Sequence, residues 1–384
     1  MVVQAERVLE AARPAGTDVL TVRRAALWIM LAAKLLAGWG VRWDIEWHVA
    51  IGRDSFWIAP HLMTYTGVTL VVLVSFGILV WETARGRPRS MAMRRGLAGT
   101  RGFHVAAWGI AVTVMAAPID DLWHRLFGLD VTLWSPPHLL GFLGAAINSV
   151  GCLLIAREVY PDGSRRRLAA LVVAGAWLYG SIHPTLEPAA LVAYQHGGVR
   201  FHTYAMLAAL LLPLALLPTA RLSGQRWAPV LLVGTAILAG IAGEQVARAG
   251  FAWLRPVPVA DAEVAAAPGS DVALAREIAR KSRTTPGVPR SATRLLGLVP
   301  PLLMGAVDPR RRPLAATGAY AVAVFALTGW ALTRSPAFAP VAPGIAETAV
   351  ALLLTLLAAL AGGLAATRLA DLLATRTRAI GAVA

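Results

Sequence analysis

The chain has one cysteine and two lysines, at 34 and 281, and only 15% of its 384 residues carry a charge. The single thiol, Cys152, excludes an intrachain disulfide and any thiolate cluster, and with it the cysteine-built structural zinc sites. Phosphate-binding glycine loops, dinucleotide fingerprints, haem-attachment motifs and nucleophile elbows are missing too, which removes those enzyme classes. No small-residue cleavage pattern follows the first apolar run, so that run is expected to stay as a helix.

What the chain has instead is hydrophobic length. Hydrophobic residues make up 57% of it and its mean hydropathy is positive, outside the range of ordinary soluble domains. Apolar stretches of about 17 to 25 residues, each able to cross a hydrocarbon core of about 30 Å as a helix, fall near 22–42, 60–82, 103–123, 137–156, 166–183, 201–220, 226–247, 313–333 and 345–371. The run 294–307 is shorter and interrupted by Pro300 and Pro301, which leaves a kinked span, a re-entrant segment or an interfacial one. The expected fold is an all-α, polytopic membrane bundle of nine or ten transmembrane helices built from repeated helical hairpins.

The net charge of +15 does not point to nucleic acid, because the arginines sit in short connections rather than along one aromatic-studded face. "ETARGRPRSMAMRRGLAGTR", "REVYPDGSRRRL" and "TARLSGQRW" alternate with acidic or His-rich turns. The positive-inside rule puts the Arg-rich connections and the N-terminus in the cytoplasm of a bacterial cell membrane.

Five segments follow. Residues 1–21 form a cytoplasmic N-terminal segment, and 22–158 hold two related hairpins. A third hairpin with a His cluster and the seventh span occupy 159–254. Residues 255–293 are a hydrophilic loop in which "DVALAREIARKSR" reads as a short amphipathic helix, either interfacial or a lid, or else as part of a linker. Residues 294–384 supply the C-terminal helices, where the small residues of "AGGLAATRLA" favour close packing.

An internal repeat links the first two hairpins. Asp44, Trp47, His48, Gly52 and Asp54 align with Asp120, Trp123, His124, Gly128 and Asp130. After a one-residue insertion, Trp57, Pro60 and His61 meet Trp134, Pro137 and His138. A degenerate third copy sets His183 and His196 at the His48–His61 separation, with Tyr179 in the Asp position. A fainter echo pairs "PPLLMG" at 300–305 with "PPHLLG" at 136–141.

An Asp and a His four residues apart project from one helical face. A His just after a helix-opening proline sits at the top of the next helix. Each hairpin is therefore expected to close one carboxylate and two imidazoles around a point: Asp44, His48 and His61 in the first, Asp120, His124 and His138 in the second. Two imidazoles and one carboxylate with open positions suit Fe(II), Cu or Zn. Asp54 and Asp130 are candidate second-layer acceptors for a ligand His, although Arg53 competes for Asp54. Asp120 is preferred to its neighbour Asp121 because it aligns with Asp44. Glu46 and Arg53 have no counterpart in the second copy and are expected on the solvated face.

Interfacial Trp, here Trp43, Trp47 and Trp57, and a lone His are ordinary at a membrane surface. Recurrence argues otherwise for the histidines, since seven of the eight, all but His104, fall in the turns of one face. In the third hairpin, His183, Glu187, His196 and His202 are candidates for an additional metal site or a proton relay, with plain loop polarity as the alternative. Glu244 is either a buried carboxylate or one that snorkels to the interface.

The spacings Asp44-x3-His48-x12-His61 and Asp120-x3-His124-x13-His138 resemble those of the C-type membrane subunit of the copper membrane monooxygenases, the particulate methane and ammonia monooxygenase group. The pattern there is Asp-x3-His-x12-His and Asn-x3-His-x13-His. The likeness covers residues 44 to 138, and Asp120 stands in place of Asn. It implies a copper-binding membrane bundle related to an oxygenase subunit, with copper preferred over iron or zinc. This chain is longer, adds a third His cluster and has no cupredoxin-like segment.

Three functions compete on these residues. The first is a copper-dependent membrane monooxygenase or oxidoreductase subunit. The second is a metal ion transporter or metal-handling permease, and the third is a non-catalytic accessory subunit. The expected partners are the lipid bilayer and other membrane subunits or a second copy of the chain, with no nucleic acid.

Overall fold

The computed structural model describes residues 16–51, 56–85, 96–127, 133–257, 265, 268–269, 271–281 and 294–375. Among these the regular structure is helical throughout. Two long hairpins come first: α1 (Gly16–Ala50) with α2 (Ala59–Ala84), and α3 (Arg101–Phe127) with α4 (Pro136–Val159). They are followed by α5 (Arg165–Tyr194), a 3-10 turn (Gly198–His202), α6 (Thr203–Leu211), α7 (Pro213–Ser223) and α8 (Ala228–Leu254). The rest comprises α9 (Asp271–Lys281), the short α10 (Val299–Val307), α11 (Pro313–Thr333) and α12 (Ile345–Ala374).

Among the described residues eight helical stretches are long and apolar enough to cross a membrane, with α6 and α7 counting as one. The chain is thus an all-helical, multi-pass membrane bundle. The expectation of nine or ten spans differs from this in two places. The 35-residue α1 carries Arg23, Arg24, Lys34 and Arg42 and is not among the eight. The apolar segment Leu295–Val307 is too short to cross, because 13 residues reach only about 20 Å even as a full α-helix.

Prolines set several boundaries. Pro60 and Pro137 lie in the first turns of α2 and α4, where the missing N–H costs nothing. Pro213 divides α6 from α7. Pro118 lies inside α3, and Pro184 and Pro188 lie inside α5, each depriving a carbonyl one turn earlier of its donor.

Small residues bring the helices together. A Cβ on Gly109 would meet the Asn148 backbone, one on Gly144 the Thr113 backbone and one on Gly151 the Ala106 backbone, so α3 and α4 run in near-backbone contact. Gly67 seats α2 against Ala33 and Ala37 of α1 in the same way, and Gly362 seats α12 against the Leu210 carbonyl. Between apolar helices in lipid, close dispersion contact and a few interhelical hydrogen bonds are the available forces. Asn148 supplies one such bond, donating from Nδ2 to the Ala106 carbonyl at 2.8 Å while fully buried.

One core gathers Leu27, Met30, Leu31, Phe103, Leu153 and Leu171, which joins the two hairpins to α5. A second gathers Leu212, Leu216, Leu232, Met304 and Tyr320 around α7, α8 and the C-terminal helices. At the Arg-rich end, Arg23 grips Glu82 through two hydrogen bonds of 2.7 Å, and Glu82 is only 1% exposed. Nothing in the sequence pattern singles out that pair.

Candidate functional site

The first hairpin brings its predicted residues together. Asp44 and His48 lie one turn apart on the last part of α1, and His61 is the residue after Pro60 at the start of α2. Asp44 Oδ1 is 3.1 Å from His61 Nε2 and 3.6 Å from His48 Nδ1. All three side chains are about a quarter exposed, between 22% and 25%. His48 Nδ1 also lies 2.9 Å from the Asp44 carbonyl. A proton held there would leave the Nε2 lone pair of His48 as its ligating atom.

Asp44 Oδ1 is buried yet has no well-aligned hydrogen bond among the described residues. A buried carboxylate oxygen in that condition is costly without a cation or a donor. Neighbouring donors of a tetrahedral ion bound at 2.0–2.1 Å stand roughly 3.3 Å apart, and the 3.1 Å between Asp44 Oδ1 and His61 Nε2 is close to that value. Asp44 and His61 fit such an ion by donor type and spacing, and His48 fits it by donor type. Both rings meet one oxygen instead of enclosing a point, and among the described residues no group of three His, Cys, Asp or Glu side chains forms a closed metal-holding arrangement.

The second hairpin repeats part of the geometry. Asp120 Oδ1 lies 3.6 Å from His138 Nε2, again across the turn from one helix to the start of the next. His124 occupies its helical position on α3, but its side chain lies outside the described residues. Asp121 points elsewhere: it pairs with Arg125 at 2.7 Å on the surface, with both side chains well exposed. That separates the two adjacent acids in favour of Asp120. The candidate second-layer acids, Asp54 and Asp130, lie outside the described residues.

Two expectations from sequence are corrected and one open choice is resolved. Glu46 does not face solvent. It is 7% exposed and accepts a 2.9 Å hydrogen bond from Arg42, one turn away on the same helix. Trp43 and Trp47 do not form an interfacial belt, since they are 5% and 8% exposed and pack on Phe251 of α8. Trp57, at 70% exposed, does match the belt expectation. Glu244 is a buried carboxylate at 4% exposure, paired with Arg294 and 3.4 Å from Arg42. The physical reason is common to all of them: α1 and α8 pack face to face at this end, so residues flanking Asp44 enter a helix interface. Aligned repeats carry no record of which face a later helix covers.

The amphipathic segment of the long loop is helical, as expected, and forms α9. Arg276 donates to the Val49 carbonyl at 3.3 Å, which puts α9 against the end of α1 just beyond His48.

The third cluster is divided. His183 is bonded to Tyr204, with 2.8 Å between Nε2 and the hydroxyl. Glu187 stands one turn further along α5 and acts on His183 electrostatically. His196 is exposed past the end of α5. His202 is 4% exposed and stacked on Phe325 with 4.1 Å between ring centroids. Tyr204 is not foreseen from sequence, because only the fold brings α6 against α5.

No protein-family model, curated protein or solved structure matches this chain.

Proposed function

We propose that the chain is a copper-dependent membrane oxidoreductase of monooxygenase type, or a subunit of one, with two Asp-His-His metal sites near the extracytoplasmic face. The observation that carries this reading is the contact of Asp44 with both His61 and His48, repeated in part by Asp120 and His138. Two related hairpins each direct a carboxylate from the end of one helix at an imidazole that opens the next. A packing or capping role would not require the same three residue types twice.

Two imidazoles and a carboxylate suit Cu, Fe or Zn by donor type. Copper is favoured here because the spacings resemble those of the copper membrane monooxygenases. Copper held there would supply one-electron redox chemistry. The chain's own residues would fix the donors: Pro60 and Pro137 set the height of His61 and His138, and the Asp44 carbonyl sets the ring of His48. The Arg-rich connections on the opposite side support an orientation with the sites outside. The partners proposed with it are the lipid bilayer and other membrane subunits or a second copy of the chain.

Electron paramagnetic resonance of the copper-loaded protein tests the reading. Nitrogen couplings from imidazole are expected, reduced in His61→Ala and again in His138→Ala. A signal free of nitrogen coupling, or one unchanged by both variants, would count against it.

One observation favours the permease alternative. Lys34 lies midway along α1 and donates to the Ala145 carbonyl of α4 at 3.1 Å, an ionisable group set between two helices of the bundle. Metal uptake by vesicles that is lost in Lys34→Met, with no redox activity in the same preparation, would support that reading over the first.

A further inference from the structure

We propose that the third hairpin carries a proton path, from Glu187 through the hydrogen-bonded pair His183 and Tyr204 to the phenols of Tyr179 and Tyr320 inside the span. It is separate from the two proposed metal sites and needs no metal.

Tyr179, His183 and Glu187 are four residues apart on α5, so they form one stripe, each step rising about 6 Å. Glu187 is exposed and marks the entrance. His183 Nε2 is 2.8 Å from the Tyr204 hydroxyl. The Tyr179 ring stacks on His183 at 5.3 Å between centroids, and the Tyr204 ring meets it edge-on at 5.9 Å. Tyr320 enters from α11 at 3% exposure and packs in the same core as Tyr179 and Tyr204, close enough to interact electrostatically with both phenols.

Each member after the carboxylate can accept a hydrogen bond with one lone pair and donate another, as phenol hydroxyls and neutral imidazole do. A proton taken up on one side of such a group can therefore be released from the other. The helix that holds the stripe is interrupted in the same place. Pro184 and Pro188 lie inside α5, so the carbonyls of Gly180 and Pro184 lose their i+4 donors. In a membrane span such carbonyls need another partner, which a neighbouring helix, a Ser or Thr side chain or a water can supply.

The polar groups along this stripe come from three helices. Glu187, Tyr179 and Tyr194 come from α5, Tyr204 from α6 and Tyr320 from α11. The charged group acting on His183 is Glu187. His202, stacked on Phe325, stands off the path.

A Tyr–His hydrogen bond can also be mere packing, and the test separates the two roles. Protein with 15N-labelled histidine is placed in vesicles in one orientation, and the His183 resonance is assigned by its loss in His183→Gln. With the two sides buffered differently between about pH 5 and pH 9, the resonance is expected to follow the pH on the Glu187 side. Glu187→Gln is expected to abolish or slow that response. Tyr204→Phe keeps the ring but removes the hydroxyl, and is expected to shift the His183 tautomer signal in a folded protein even if His183→Gln does not fold. A His183 resonance that ignores pH on the Glu187 side, or follows only the opposite side, overturns the proposal. So does an unaltered response in both Glu187→Gln and Tyr204→Phe.

Discussion

His61 Nε2 lies 3.1 Å from Asp44 Oδ1, although the two residues belong to different helices and are separated by a turn. The contact is set by two local rules: α1 continues far enough to carry Asp44 and His48 on one face, and Pro60 starts α2 one residue before His61. A carboxylate oxygen held in this way, without an aligned hydrogen bond among the described residues, is a ready acceptor for a cation.

Asp44→Asn keeps the side-chain volume and removes the charge. The variant is expected to lose about half of the bound metal while the thermal midpoint in detergent hardly moves, because the site adds little to packing. Asp121→Asn is the control. Its exposed pair with Arg125 is worth about 1 kcal/mol or less, and metal content should stay at the native level.

Glu244 is the acid of a buried charge network with Arg294 and Arg42. Removing it leaves the Arg294 guanidinium without its counter-charge in a helix interface, whereas Arg42 keeps its bond to Glu46. Glu244→Ala is expected to destabilise the fold by about 3 kcal/mol, read as a lowered midpoint in thermal unfolding. Adding Arg294→Met to the same chain should recover part of the loss, whereas simple loss of packing would make the double variant worse.

The glycines of the hairpins should respond with opposite signs. A Cβ on Gly109 would strike the Asn148 backbone, while one on Gly77 meets nothing within 4 Å. Gly109→Ala is expected to cost about 1–3 kcal/mol through overpacking. Gly77→Ala is expected to be neutral or to stabilise by roughly 0.5–1 kcal/mol through helix propensity. Thermal unfolding of the two variants side by side checks the difference in sign.

In the turn between α10 and α11, Arg310 donates to both carboxylate oxygens of Asp308, at 2.8 and 2.7 Å. The guanidinium holds the Asp308 carboxyl down at about 2, below its ordinary value. A depressed acid stabilises the fold fully above its unfolded pKa, near 4, and that contribution is lost as pH falls through about 2. The difference in midpoint between the native chain and Asp308→Asn should therefore be constant above about pH 5 and shrink toward pH 2. Asn suits the comparison because Asp308 has a φ of 66°, a conformation Asn tolerates. A gap that is unchanged down to pH 2 would contradict the assignment.

Much of this architecture can be read from the sequence because it rests on local rules. Run lengths mark the long helices, and Pro60 and Pro137 mark the starts of α2 and α4. The repeat picks out Asp44, His48 and His61, which the fold brings together, and prefers Asp120 to Asp121, a choice the surface pair of Asp121 with Arg125 supports. What escapes is lateral packing. Glu46, Trp43 and Trp47 look interfacial because their burial depends on α8, about 200 residues later in the chain. Tyr204 carries no motif and gains its role only through contact with His183. The pair of Arg23 and Glu82 is likewise a product of how α1 lies on α2.

The most direct test of the central claim is the metal content of the detergent-purified protein, native against a His48→Ala, His124→Ala double variant, with both confirmed as folded by their thermal transitions. Near-stoichiometric copper is expected in the native chain, and its loss in the double variant. Native protein that purifies without metal and binds none on loading, or equal metal in both proteins, would contradict the claim.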